Sequence, residues 1–334
     1  MSDMTPSAPT APDPGPGEAR CPRGLATLLI ALIVSPVLVV ALALGIRWWQ
    51  TPPAVRSSLQ GEGGVPDDAG TAVPTIAVLK IGSALGAPDP AASFWADAVR
   101  MDVMMMPQNM TMPMVDTPGA EVLAVAAATD GVDLAWRIEW ADATQDATPD
   151  VDRFGDAVAI QFPLTEAASP MMGLGGKVHI LHWKAIWQTD IEQGFQDDGV
   201  THPNTFHALA WFATSDDLAT GYTDERSRVW LTHHSAGNPM SNFSREQPVE
   251  ETFAAGFGTL TSRSLSLTKA RGRWADGRWS VVIQRPLAPA DDPEGFRLAA
   301  GGKSMVSFAV WGGSLGHVGG RKMWANWVPF EVPR

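Results

Sequence analysis

Thioethers, imidazoles and amines are the groups in this 334-residue sequence whose types and positions could do chemistry. Met171 and Met172 occupy the Pro/Gly-bounded turn PMMG, residues 170–173, where a core methionine is not normally placed. A thioether is a soft ligand accepted by haem iron or Cu(I), and it is equally a filler of irregular apolar space. Position alone leaves both readings open. A second group, MDVMMMPQNMTMPM at 101–114, carries seven methionines with no His or Cys beside them. That composition fits subunit packing better than a Cu(I) site. His179 and His182 lie three apart in an alternating run, so a strand turns them to opposite faces and they cannot chelate one ion. The adjacent pair His233 and His234 has the same defect. No nucleophile–base pair is specified by spacing.

The elements that must position these groups read as strands. Ten apolar runs follow one another from residue 75: TIAVLKI, EVLAVAAATD, VDLAWRIEWAD, DAVAIQFPL, KVHILHWKAIW, HALAWFAT, RVWLTH, SLTKARGRW, RWSVVIQRPL and MVSFAVWGG. Clusters of Asp, Gly, Pro and Asn punctuate them, and Asp130-Gly131 and Asp276-Gly277 mark two hairpin turns. One helical turn is expected at Glu250–Ala255 and no longer helix within this part. The expected fold is all-β, an antiparallel β-sandwich of about ten strands with long loops, over residues 74–334. The 14 tryptophans are read mainly as filling its core.

Ahead of this domain the text changes character. Residues 1–24 are Pro-rich and read as a disordered cytoplasmic tail. Residues 25–45 form an uncharged apolar run of 21 residues. As a helix it would span about 31 Å, close to the thickness of a bilayer core. It reads as a single-pass transmembrane signal-anchor, with a signal peptide cleaved near Ala41-Leu42-Ala43 as the rival. Residues 46–73 are then a Gly/Pro linker, and the domain lies on the extracytoplasmic, periplasmic side of the cell membrane. The single cysteine, Cys21, precedes the apolar run. The domain therefore has no disulfide, no covalent haem attachment and no thiolate metal site. A net charge of −12 argues against nucleic acid as a partner.

Six blocks appear in order: DAVAIQFP, PMMG, KVHILHWKA, ARGRWADGRWSVVIQRPL, VSFAVWGG and GGRKMW. In them the sequence resembles the haem-b-binding gamma subunits of ethylbenzene dehydrogenase and its relatives, which include dimethylsulfide dehydrogenase, chlorate and selenate reductases and some nitrite oxidoreductases. The resemblance covers about residues 90–330. It implies a β-sandwich holding one non-covalent haem b between an iron–sulfur subunit and an external carrier, cytochrome c or a membrane electron carrier. A molybdenum-cofactor subunit would carry the catalysis. Members of that family hold the iron with a methionine and a lysine. By that resemblance the methionine is Met172, with Met171 as alternate, and the lysine is Lys322, with Lys303 as alternate. His317, in the same loop as Lys322, is a further substitute. The membrane segment and the long methionine run depart from the family pattern. The competing readings are a carbohydrate-binding β-sandwich, with Trp183 and Trp187 as its aromatic platform, and a Met-rich copper-binding exported protein.

Overall fold

A computed structural model describes residues 73–196, 198–204, 236, 238, 242 and 244–334. The tail, the apolar segment at 25–45, the linker up to residue 72, the runs at 207–214 and 228–233, and His233 and His234 lie outside the described residues. Among the described residues, no helix is long and apolar enough to cross a membrane.

The first part of the chain contributes β1 (Ile76–Lys80), β2 (Met101–Met104), β3 (Met106–Pro107), β4 (Val122–Thr129) and β5 (Asp133–Ala141). Next come β6 (Ala157–Pro163), β7 (Val178–Lys184) and a helix, α1 (Ala185–Gln193). The last part supplies β8 (Val249–Ala254), β9 (Thr261–Ser262), β10 (Lys269–Ala275), β11 (Arg278–Pro286), β12 (Lys303–Trp311), β13 (Met323–Trp324) and β14 (Val328–Glu331). Both expected hairpins form. Asp276 and Gly277 have φ of 51° and 70°, the left-handed pair that a two-residue turn between β10 and β11 requires.

The strands hydrogen-bond into one continuous 14-stranded sheet in the order β10-β11-β5-β4-β1-β14-β12-β6-β7-β8-β9, with β2 on β4 and β13 bridging β12 and β3. The sheet curls so that its two halves face each other. Trp136 of β5 lies 6.1 Å from Phe162 of β6 and 6.1 Å from Phe308 of β12, and Trp183 of β7 lies 5.0 Å from Trp279 of β11. These fully or nearly fully buried rings are the centre of the core.

Four expectations are corrected. The architecture is mixed rather than antiparallel, because β1 runs parallel to both β4 and β14 and joins the two halves. A parallel pair needs a long crossover, here residues 81–121, which adjacent-hairpin signals do not reveal. Ala185–Gln193 is helical, so the aromatic run ends as a strand at Lys184 and Trp187 belongs to the helix. Glu250–Ala254 is strand, not a helical turn. Trp183 and Trp187 are 0% and 7% exposed, so they form no sugar platform.

Alternation along β6 and β12 makes two unlike faces. Val158, Ile160, Phe162, Phe308 and Val310 point into the core. Ala157, Ala159, Gln161, Ser307 and Ala309 point the other way, and β7 adds Ile180 and His182 to that outer face. Alanine is a weak strand former. Its repetition on one face of two central strands leaves a shallow, flat shelf.

Candidate functional site

Above this shelf lies a cavity of about 370 Å³, bounded by loops from four parts of the chain: 108–113, 170–172, 257–260 and 319–322. Its volume falls within the range of small-molecule and cofactor sites. Met171, Met172 and Lys322 all line it.

The methionine turn is tied down from several sides. Met172 has φ of 53°, a left-handed conformation uncommon for a side-chain-bearing residue. The next residue, Gly173, has φ of 77°, and a Cβ there would meet the Ala254 carbonyl at 2.8 Å. Gly173 N–H donates to Ser169 O at 2.9 Å, and Met172 O accepts from Gly256 N–H at 2.8 Å. From the shelf, Gln161 Nε2 donates to Pro170 O at 3.0 Å. Met172 packs against the outer-face cluster that contains Ala157, Ala159 and Ile180. The strained backbone is thus held by its surroundings, which is how a loop delivers a side chain to a fixed place.

Another part of the lining is held by Gln108. Its side-chain amide donates to the carbonyls of Thr111, Pro113 and Gly320 and accepts from the N–H groups of Met110 and Thr111. Its backbone N–H donates to Lys322 O at 3.0 Å. One buried glutamine therefore joins the methionine-rich loop to the loop that carries Lys322. Met110 and Met112 of the seven-methionine run reach the cavity, Met105 is in the core, and Met104, Met106 and Met114 are exposed.

Lys322 has no carboxylate within ion-pair distance among the described residues. Its Nζ lies 5.3 Å from the centre of the Trp311 ring. Burial pushes its pKa down from 10.5 to about 8, so the neutral amine is within easy reach near neutral pH. His182 stacks on the same indole, with centroids 4.6 Å apart and planes 27° from parallel. Burial, then the charges of Lys184 and Lys322, hold this imidazole well below its usual pKa, so it is neutral. Two polar atoms lining the cavity, His182 Nε2 and Thr252 Oγ1, are buried without a hydrogen-bond partner. Buried polar atoms are nearly always paired, so these two are exceptions beside the cavity.

The other sequence candidates lie elsewhere. Lys303 begins β12, exposed, and pairs with Glu331 at 3.1 Å. His317 is buried, accepts from Gly312 N–H at Nδ1 and donates from Nε2 to Thr117 O at 2.8 Å. It faces a different cleft, of about 660 Å³, that has no methionine or lysine in its lining. His179 is on the core face, with Nδ1 accepting from Phe296 N–H and Nε2 donating to Glu251 at 3.0 Å. Glu251 is the hub of a buried network with Arg263, Arg285 and Thr268. Burial alone would raise its pKa, but the His179 hydrogen bond and the Arg285 charge outweigh that and hold it at about 2. Asp142, Asp146 and Asp156 also converge. Asp156, however, is taken by the N–H groups of Gly313, Asp146 and Trp279, which makes it a staple of the fold. Trp311, Gln108 and Thr252 were not singled out by sequence, and His182 was weighed only as a chelating partner of His179.

The curled β fold thus brings a loop methionine and a lysine without an ion-pair partner among the described residues into the lining of one cavity. Residues 92–323 match the ethylbenzene dehydrogenase family model, and the chain belongs to that family. It is 25% identical over 246 residues to a Haloferax mediterranei protein named "Putative respiratory nitrate reductase heme subunit ORF7", covering 72% of this chain and 67% of that one. Among solved structures, it resembles a Bacteroides uniformis protein at TM-score 0.39 and 8% identity, over 78% of this chain and all of that one. It also resembles a family 9 carbohydrate-binding module of Caldicellulosiruptor kristjanssonii at TM-score 0.36 and 7% identity, over 78% and 97% of the two chains.

Proposed function

We propose that this chain is the electron-transfer subunit of a respiratory oxidoreductase complex and binds one non-covalent haem b in the cavity above the β6–β12 shelf. The observation that carries this is the presence, in the lining of one cavity, of a methionine on a constrained turn and a lysine that has no ion-pair partner among the described residues. The naming of the Haloferax relative as a heme subunit supports it.

A haem b held there would supply one-electron chemistry at its iron. Met172 presents a thioether, which favours the ferrous state and raises the potential. Lys322 presents a nitrogen that must be neutral to bind, and burial has already brought its pKa close to 8. The alanine shelf and Trp311 give apolar faces and exclude water. If Met172 and Lys322 both held the iron, the chain would leave no place on it for a substrate, which would suit electron transfer rather than catalysis. The chemistry of the complex would then belong to a molybdenum-cofactor subunit, with an iron–sulfur subunit on one side of the haem and cytochrome c or a membrane carrier on the other. The apolar run at 25–45 would tether the domain to the extracytoplasmic face of the cell membrane.

The test is the pigment. Purified full-length protein should show a Soret band, and acid–acetone should extract the haem, which the pyridine haemochrome then identifies as b-type. A colourless protein, or a pigment that stays with the polypeptide, contradicts the proposal.

A further inference from the structure

The unpaired imidazole of His182 carries an inference beyond the ligand pair, and it rests on the reading of Lys322 as an iron ligand. An amine bound to a metal keeps two N–H donors, and in a buried site each unmet donor is costly. Among the described residues, no carboxylate pairs with Lys322. Register sets Glu250 of β8 opposite His182, but its oxygens are held by Lys184 and Ser262. Lys184 is thereby paired as well. Beside the Lys322 amine stands the face of Trp311, the indole on which the His182 ring also stacks, and both residues line the same cavity.

The ring is also held in place. His182 stacks on Trp311 at 4.6 Å, and Trp311 Nε1 donates to Gly319 O at 3.1 Å, in the loop that leads to Lys322. One indole therefore positions both the imidazole and the amine. His182 Nε2 is buried and without a partner, although it lines the cavity. We propose that His182, with its ring proton on Nδ1, accepts a hydrogen bond at Nε2 from the Lys322 amine and so aims that amine at the iron. His182 is then a positioning residue, the outer partner that metal-bound nitrogen ligands commonly have.

The experiment uses full-length ferric holoprotein and four variants: His182→Leu, His182→Ala, His182→Gln and Lys322→Met. Two properties are measured, the cyanide concentration that half-displaces the protein's nitrogen ligand and the low-spin g-values. Removing the acceptor in the Leu or Ala variant should lower the cyanide needed by roughly tenfold, the usual effect of losing an outer-sphere partner. Gln restores an acceptor oxygen and should return both properties toward the wild type. If Leu and Ala cannot take up haem while Gln does so with native g-values, the need for an acceptor is upheld. If Gln behaves like Leu, or none of the three differs from wild type while Lys322→Met does, the inference falls and the lysine ligand stands. If Lys322→Met is unchanged and the His182 variants lose the nitrogen signature, His182 is itself the ligand and both readings fall.

Discussion

At the scale of single residues, the site depends on a few atoms that cannot shift. Gly173 is one: an alanine there would set its Cβ 2.8 Å from the Ala254 carbonyl at a φ of 77°. Gly173→Ala should destabilise the protein by about 1–3 kcal/mol and weaken haem retention, measured by urea unfolding and by haem transfer to apomyoglobin. Lys322 gives a pH signature in the haem-free protein. Its folded pKa, about 8, is below the unfolded value of 10.5, so the buried charge is a penalty below pH 8. That penalty disappears as pH rises through the window from about 8 to 10.5, so apoprotein stability should rise there, and the rise should be absent in Lys322→Met. Lys322 was reached only through the family resemblance, whereas the PMMG turn itself was legible in the sequence, with the role of its methionines left open. The role of His182 was not legible, because an unpaired imidazole is defined by what surrounds it in three dimensions, and Trp311 and Glu250 come from distant strands.

At the scale of elements, the long strands were legible and the short ones were not. Runs such as DAVAIQFP and RWSVVIQRP alternate over seven to nine residues, whereas β3, β9 and β13 have two residues each and no period to read. Helix α1 follows β7 without a break, so its aromatic start, Ala185-Ile186-Trp187, continues the look of the strand. The small–large alternation of Ala157, Ala159, Ser307 and Ala309 with Val158, Ile160, Phe308 and Val310 was readable, and it is the local signal of the cavity floor. Beneath that floor, β7, β8 and β11 are joined by the network around Glu251. Glu251→Gln leaves Arg263, Arg285 and His179 imperfectly matched in the interior and should cost about 3–5 kcal/mol. Its carboxylate is held at about 2, below the usual 4.5. Its stabilising effect is therefore complete above pH 4.5 and lost as pH falls toward 2, and acid-denaturation curves of the variant should lack that component.

At the scale of the whole molecule, charge and the proposed tether at residues 25–45 would set which partners the protein meets. With a net charge of −12, electron exchange with a basic soluble carrier should slow by roughly tenfold or more as ionic strength rises from low values to 0.15 M, where the Debye length is about 8 Å. Stopped-flow oxidation by cytochrome c checks this; a rate independent of salt points to an uncharged membrane carrier. Deleting residues 1–45 should release the protein from the membrane fraction with its haem and its described fold intact. The central claim, that one cavity holds a haem between Met172 and Lys322, is tested most directly by a ferric optical and EPR titration of wild type beside Lys322→Met. Iron competes with protons for an amine whose pKa is about 8, so the wild type should stay low-spin to a pH below 8 and turn high-spin in acid with the release of one lysine ligand. Lys322→Met should show no such transition and a different low-spin signature. An identical spectrum and acid transition in the two proteins would contradict the account.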